Sequence, residues 1–511
     1  MAKVLLGFML LTLAVAVAGA QAREWDDQVV KAAQRNFPEF LDLLAIADVA
    51  DNPADIQRNA AFLQQAFIRR GFKTQLLANP ANRPLVLAEL ATPATGATTL
   101  LLYIHFDGQP VIAEEWAQKS PFDPVVKQRD DRGAWHEVAR DRLLAQPFDP
   151  ELRVFARAAS DDKAPIAMLL TAIDMLKAEG KAPASNIKVI LDSEEEIGSP
   201  SLAGVVKANA AAFKADALVI LDGPVHGSGR PTLVFGNRGI AQATLVVYGP
   251  RSPLHSGHFG NYVPNPALRL AALLASMKDD RGRVLVEGYY DGIALTAADR
   301  ATLAATGDDE AALRKRAGIA RAESVGSTYQ EALQYPSLNV RGMVSAAVGA
   351  KAANIVPSEA TAELDLRTTP ETDGRRLFEL IRKHIEKQGY HLTDGPPSDT
   401  DRATYDKLAS FRLGSVQSAE RTPMDSPLAR WAVAALRSAT APDPNSDPVR
   451  IRMMGGTVPT DVLIDALHLP FIGVPTVNAD NNQHAHDENL RIGNFISGTQ
   501  TLFSLLVTPY R

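Results

Sequence analysis

The sequence of 511 residues contains no cysteine. That absence excludes disulfides, thiolate metal sites and a lipidated bacterial anchor, so any metal must be held by His, Asp or Glu. There is no basic stripe either. The net charge of -6 is modest and spread along the chain, which argues against nucleic acid as a partner. Beyond the N-terminus, no segment reaches the roughly 18–20 apolar residues of a membrane span. No internal repeat occurs, and no low-complexity run beyond some Ala-rich helices. What is present, 46% hydrophobic and 22% charged residues, is ordinary globular composition. The length suits two or three domains.

The first 22 residues form a separate unit. Lys3 precedes an apolar run from Val4 to Val17, and Ala20 and Ala22 form an A-x-A cleavage signature. The pattern is that of a secretory signal peptide, with an N-terminal membrane anchor as the alternative. The mature chain is expected to be exported, periplasmic or secreted, after cleavage near Ala22.

Residues 26 to 72 carry helical periodicity, broken once between two helices. Strand-like runs follow at KTQLLA, PLVLAEL and TTLLLYIHFD. Gln109 to about Arg153, rich in Pro, Asp and Arg, reads as an irregular excursion. DDKAPIAMLLTAIDMLKAEG reads as a helix, NIKVILDSE as a strand, SLAGVVKANAAAF as a helix and DALVILDG as a strand. This alternation implies a mostly parallel sheet covered by helices. From about Gly239 the order becomes β-α-β-β-α-β, the ferredoxin-like arrangement, with YHLTD as a possible last strand. An insertion from about Lys278 to Tyr335 holds two helices. After about Pro423 the α/β pattern resumes. The expected organisation is therefore an α/β domain in two parts, 23–238 and 423–511, split by a smaller α+β domain at 239–422.

Three strand-like runs end in metal-ligand residue types: His105 and Asp107, Glu195 and Glu196, and Asp222. Loops add Asp161 and His484. Singly, each has a bland explanation as a loop carboxylate, a helix cap or a core histidine. Three strand ends at one sheet edge are harder to dismiss, because ligands bind at the C-terminal ends of parallel strands. Asp161, Glu196 and Asp222 supply three negative charges, and a hydroxide would supply the fourth needed against two divalent cations. With His105 and His484 the nitrogen and oxygen mix suits zinc, with cobalt or manganese possible. Asp107 is placed to orient the His105 ring. Glu195 is the surplus acid, able to take a proton from water held at such a centre. Glu194 is expected to be solvated or to support the others from behind. No H-E-x-x-H motif occurs, which removes the single-zinc helix type of protease.

The segments IHFDGQPV, ASDDKAP, SEEEIGSPSL, VILDG, LHSGHFGNYVPNPA, NIVPSEATAELDLR, MMGGTVPT and NQHAHDENL occur in one order along nearly the whole mature chain. In that order they resemble the carnosinase, aminoacylase and carboxypeptidase G family of di-zinc metallopeptidases. The insertion containing VEGYYDGI looks most like the carnosinase-type dipeptidase branch. The resemblance implies a zinc aminopeptidase-like α/β body and an inserted domain that acts as lid and dimerisation surface. It implies that Asp161 bridges two zincs, with His105 and Asp222 on one and Glu196 and His484 on the other. Glu195 would be the general base and later acid, with Asp107 supporting His105. His255 would polarise the scissile carbonyl, often across a dimer. Asn354 and Arg367 match substrate-contacting positions, and Gly456 and Thr457 a carboxylate pocket. The family also implies a cis bond at Asp161–Asp162. One departure stands out: Ala156, Ala158 and Ala164 replace the glycines usual around the bridging aspartate, and alanine resists positive φ.

The expected activity is hydrolysis of an amide bond in a dipeptide or short peptide, through water activated by two zinc ions. N-acyl amino acid deacylation at the same site is the enzymatic alternative. A non-catalytic peptide- or metal-binding protein is the alternative of another class.

Overall fold

The computed structural model describes residues 27–440, 447–456 and 461–511. The expected signal peptide, residues 1–22, and Thr457 lie outside the described residues. The larger sheet has eight strands, in the order Lys73–Leu77, Leu85–Leu90, Asn186–Asp192, Thr99–His105, Ala217–Ile220, Phe471–Gly473, Thr232–Val234 and Val449–Ile451. The four strands from Asn186–Asp192 to Phe471–Gly473 run parallel. Antiparallel neighbours flank them on both sides.

Both faces of this sheet are covered at its centre, which is why its inner strands read as continuous apolar runs. Leu100, Leu102 and Ile104 share one core with helices Asp27–Leu44, Lys163–Ala178, Pro427–Thr440 and Ile492–Val507. Leu101 and Tyr103, alternating with them, join a second core with helices Leu202–Ala208 and Asp461–Leu467. The first helix buries Val30, Ala33, Phe37, Phe40 and Leu44 at helical spacing. Its Phe37 ring sits 5.1 Å from that of Phe495, edge-on.

Between strands of the large sheet, the chain builds a second sheet of five strands. Its order is Ser337–Val344, Glu359–Thr368, Gly239–Tyr248, Leu408–Gln417 and His391–Leu392. Helices Pro266–Met277 and Gly374–Lys387 pack Leu270, Leu273, Leu377 and Ile381 on Ala243, Leu245, Leu364 and Leu366. The fourth strand of the β-α-β-β-α-β unit is Leu408–Gln417, not YHLTD, which supplies only the two-residue edge strand His391–Leu392. YHLTD is short and lies parallel at the outer edge of Leu408–Gln417, with the His391 and Thr393 N–H groups on the Lys407 and Ala409 carbonyls at 2.9 Å each. The insertion holds helices Ala297–Ala304 and Glu310–Ala317. They are capped by the side chains of Thr296 and Asp309.

The chain passes into and out of this unit at one place, where Gly236–Asn237 pairs antiparallel with Glu420–Arg421. The approach there requires glycine. A Cβ on Gly236 would lie 2.6 Å from the Glu420 carbonyl oxygen, and one on Gly239 would lie 2.4 Å from that of Gln417.

The stretch from Gln109 to Arg153 is more ordered than expected. Val125–Arg129, Trp135–Val138 and Arg153–Phe155 form a four-stranded sheet with Asn489–Arg491. Among the described residues, no helix is long and apolar enough to cross a membrane.

Candidate metal centre

His105 is the last residue of its strand, opposite Asp192 in the parallel neighbour. After Asp192 the chain turns through Glu195–Ile197, and Gly198 at φ 85 ends that turn in the left-handed region. Ala217–Ile220, on the other side of the His105 strand, runs on to Asp222. Parallel pairing brings all three ends to one edge. Asp161 arrives from behind, just ahead of the helix Lys163–Ala178, and the Asp161–Asp162 bond is cis. His484 comes from the loop between Phe471–Gly473 and Asn489–Arg491.

These residues form two groups that share one member. His105, Asp161 and Asp222 make the first, and Asp161, Glu196 and His484 the second, the ligand atoms of each lying within 4.8 Å of one another. His105 Nε2 is 3.1 Å from Asp161 Oδ1, and His484 Nε2 is 3.1 Å from Asp161 Oδ2 and 3.2 Å from Glu196 Oε2. Asp107 is wholly buried and holds this end of the sheet together. Its carboxylate accepts the N–H groups of Glu195 and Glu196 at 3.1 Å each. His105 Nδ1 lies 3.1 Å from its backbone oxygen and 3.4 Å from its Oδ1.

The charges of this site suit a cation. Four carboxylates crowd a mostly buried space. Burial, and then Asp161, push Glu196 up to about 7 and Asp222 up to about 6. Glu195 is raised well above the carboxylate range by burial, then by Asp222 and Glu196, against the opposing pull of His105. Burial would also raise Asp161, but hydrogen bonds from His105 and His484 outweigh it and hold that carboxyl below its ordinary range. The hydrogen bond to Asp161, followed by the Glu196 charge, lifts His484 to about 9. A crowded anionic set of nitrogen and oxygen donors is what a divalent ion relieves.

The loop leading to Asp161 is built as its alanines require. Ala156, Ala158 and Ala164 are all fully buried. Ala158 adopts φ 58, and in the facing loop Asn482, His484 and Asp487 also have positive φ. Left-handed backbone costs a residue with a side chain on the order of 1–3 kcal/mol and persists only where its surroundings enforce it.

Several participants escaped the sequence reading. Gln109 donates to Glu196 Oε2 at 2.7 Å, and Gln483 to Asp161 Oδ2 at 3.2 Å. Both stand inside the motifs HFDGQ and NNQH, so their nearness to the ligands was visible but their direction was not. Glu194 is not solvated. It is wholly buried, 3.1 Å from Arg83 Nη1, and accepts the Ser201 N–H at 3.1 Å.

The remaining expected residues lie elsewhere. His255 is exposed on the inserted unit. It caps the short helix Ser256–Phe259 by accepting the Gly257 N–H, and its ring lies 4.8 Å from that of His258. Asn354 is its neighbour, since the Asn354 carbonyl accepts the Ser256 N–H at 2.9 Å. Arg367 lies on the less buried face of its strand, opposite Ile240 and Ser337. Gly456 lines a cavity of about 680 Å³ together with His226, Asp308, Arg316, Met454 and Gln483.

The chain was compared with known proteins. Residues 101–508 match the model of peptidase family M20/M25/M40. The Cys-Gly metallodipeptidase dug1 of Schizosaccharomyces pombe is 26% identical over 421 residues, covering 81% of this chain and 80% of that protein. The Beta-Ala-His dipeptidase of Homo sapiens is 26% identical over 430 residues, covering 82% and 76%. The crystal structure of an M20 family metallo-carboxypeptidase, Sso-CP2 from Sulfolobus solfataricus, superposes with a TM-score of 0.74 at 26% identity, over 92% of this chain and 98% of that one. With a family match across most of its length, this chain is a member of peptidase family M20/M25/M40.

Proposed function

We propose that this protein is a metal-dependent dipeptidase, acting on dipeptides or short peptides outside the cytoplasm. The observation that carries the reading is the sharing of Asp161 by two ligand groups, with Glu195 as a further carboxylate among them. The dipeptidases named above match this chain over about four-fifths of its length, which supports dipeptides as the substrate class.

Two divalent ions, zinc in this reading with cobalt or manganese as alternatives, would be held by His105, Asp161 and Asp222 and by Asp161, Glu196 and His484. When bound, such ions supply a Lewis acid and make a water acidic near neutral pH. The chain's own residues handle the protons and the substrate. A Glu195 carboxylate oxygen takes a proton from the attacking water and delivers it to the leaving amine nitrogen. Asp107 fixes the His105 ring and, through two N–H groups, the Glu195–Glu196 backbone. His255 polarises the scissile carbonyl. Asn354 and Arg367 hold the polar and carboxylate ends of the substrate, and Gly456 contributes to a carboxylate pocket.

Because His255 stands exposed, we assign it to the site of a second copy. The inserted unit offers a surface for such a dimer. Its edge strand Ser337–Val344 exposes Val340, Met343 and Val344, and Tyr262, Leu268 and Val348 are each more than 70% exposed. An open strand edge with apolar side chains invites a partner.

The test is a panel of dipeptides, tripeptides and N-acyl amino acids given to the zinc-loaded chain. Turnover is expected on the dipeptides, while preference for the N-acyl compounds would convert the reading to a deacylase. Glu195→Gln should bind about two metals per chain, as the parent does, and lose roughly 10²–10⁴-fold in kcat. Full turnover in that variant would remove Glu195 from the mechanism. N-terminal sequencing of the protein from a secreting host should find the chain beginning near Arg23.

A further inference from the structure

Glu488 is a wholly buried carboxylate that binds no metal in the reading above. Its two oxygens accept five hydrogen bonds. Oε2 takes them from Arg157 Nη1 at 2.7 Å and the Ala158 N–H at 3.0 Å. Oε1 takes them from the Ser160 N–H at 2.9 Å, the Ser160 hydroxyl at 3.0 Å and the Asp161 N–H at 3.0 Å. The Glu488 backbone oxygen also accepts the Ala156 N–H at 3.2 Å. All six donors lie in residues 156–161, the segment that ends on the shared ligand. Glu488 itself stands four residues beyond His484, in a loop closed by the Asn489 N–H on the Asn481 carbonyl at 2.8 Å.

One side chain therefore fastens the segment of Asp161 to the loop of His484. Both pieces hold left-handed backbone at a residue that ordinarily avoids it, Ala158 at φ 58 and His484 at φ 62. In the absence of the usual glycines, the loop's shape has to be enforced from outside, and Glu488 bonds Ala156, Arg157, Ala158, Ser160 and Asp161.

We propose that Glu488 is a positioning residue that presets the distance between Asp161 and His484, and so builds the group Asp161, Glu196 and His484 before any ion arrives. This rests on the metal reading given above. His105 and Asp222 reach Asp161 from strands that Glu488 does not touch, so the other group should depend on it far less.

Glu488→Gln tests the proposal. An amide has one acceptor oxygen. Its NH₂ would face either Arg157 and the Ala158 N–H or the Ser160 and Asp161 donors, leaving one set without an acceptor. Zinc affinity is measured by competition with a chromophoric chelator, and the d–d spectrum of the cobalt form is recorded alongside. The expected result is two unequal equivalents: one bound as in the parent, the other, the one that His484→Ala also removes, weakened roughly 10–100-fold. Its cobalt band should move, and kcat should fall more than KM rises. Equal retention of both equivalents, or equal weakening of both, would overturn the proposal. Glu488→Asp guards against loss of the fold, because it keeps the charge against Arg157 while withdrawing the acceptors. It should weaken the same equivalent several-fold, and parent-like binding of both ions in a folded Asp variant also overturns the proposal. If the parent chain itself fails to bind two ions, the metal reading fails instead, and the two failures are told apart.

Discussion

Glu194 and Glu195 are adjacent in sequence and differ completely in environment. Glu194 is sealed beneath the strand ends against Arg83, whereas Glu195 is turned toward the ligand groups. Removing one partner of a buried pair strands the other charge, at about 3–5 kcal/mol. Arg83→Ala is therefore expected to lower the unfolding free energy by about 3 kcal/mol in urea titration, while a replacement of both residues by apolar ones should recover part of that loss. If Arg83→Ala unfolds at the parental midpoint, Glu194 is not held as described. The three glutamates could not be divided from the sequence alone. Their residue types are identical, and the partner that claims Glu194 lies 111 positions away. His105, Asp161, Glu196, Asp222 and His484 were legible because each is a ligand type at an abrupt end of an apolar run or in a short polar loop.

Elements were legible where both faces are buried. The strands ending at His105 and Asp192 read as unbroken apolar runs, and the structure places them side by side. The sheet around Val125–Arg129 was not legible, because its cations behave as hydrophobic cover. Lys127 lies over the Phe155 ring at 4.4 Å and Arg153 over the Trp135 ring at 5.0 Å. Long cationic side chains hide strand alternation by burying their stems. Helix packing supplies a prediction at this scale. Arg70, nearly buried at the end of the second helix, holds Glu39 at 2.7 Å and Asp174 at 2.8 Å, tying three helices together. Burial would raise the Glu39 carboxyl, but Arg70 and then Arg69 hold it below the usual 4.5. Its stabilisation is therefore complete above that value and fades as the pH falls through the lower folded value. Glu39→Gln should cost about 1 kcal/mol at pH 7, and progressively less as the pH falls below 4.5 and through the lower folded value. A cost that does not change with pH would show that packing, not charge, is what the substitution removes.

For the whole molecule, the ferredoxin-like order was legible, but its last strand was misplaced, since pairing partners far along the chain decide which of two weak strands joins the ladder. The proposed dimer is tested at this scale. Met343→Lys with Val344→Lys should give monomers by analytical ultracentrifugation. It should reduce turnover about as far as His255→Ala does, without lowering zinc content. A monomer with full activity would place His255 in its own chain's site.

The two-residue ladder at Gly236–Asn237 and Glu420–Arg421 makes the inserted unit a cassette. Asn237 faces Glu420 across a single rung, close enough for a two-residue hairpin turn to join them. Everything between leaves and rejoins the eight-stranded body there, held to it besides by contacts such as His226 with Asp308 at 3.3 Å and Arg452 with Gln334 at 2.6 Å. A chain closed at that rung would keep His105, Asp161, Glu195, Glu196, Asp222 and His484 and lack His255, Asn354 and Arg367. It is expected to take up metal and hydrolyse nothing. Loss of metal uptake on excision would show that the two bodies cannot be separated. If they can, chemistry and substrate choice are inherited as separate parts, and one metal-binding body can acquire new substrates by replacing what is spliced in at a single rung.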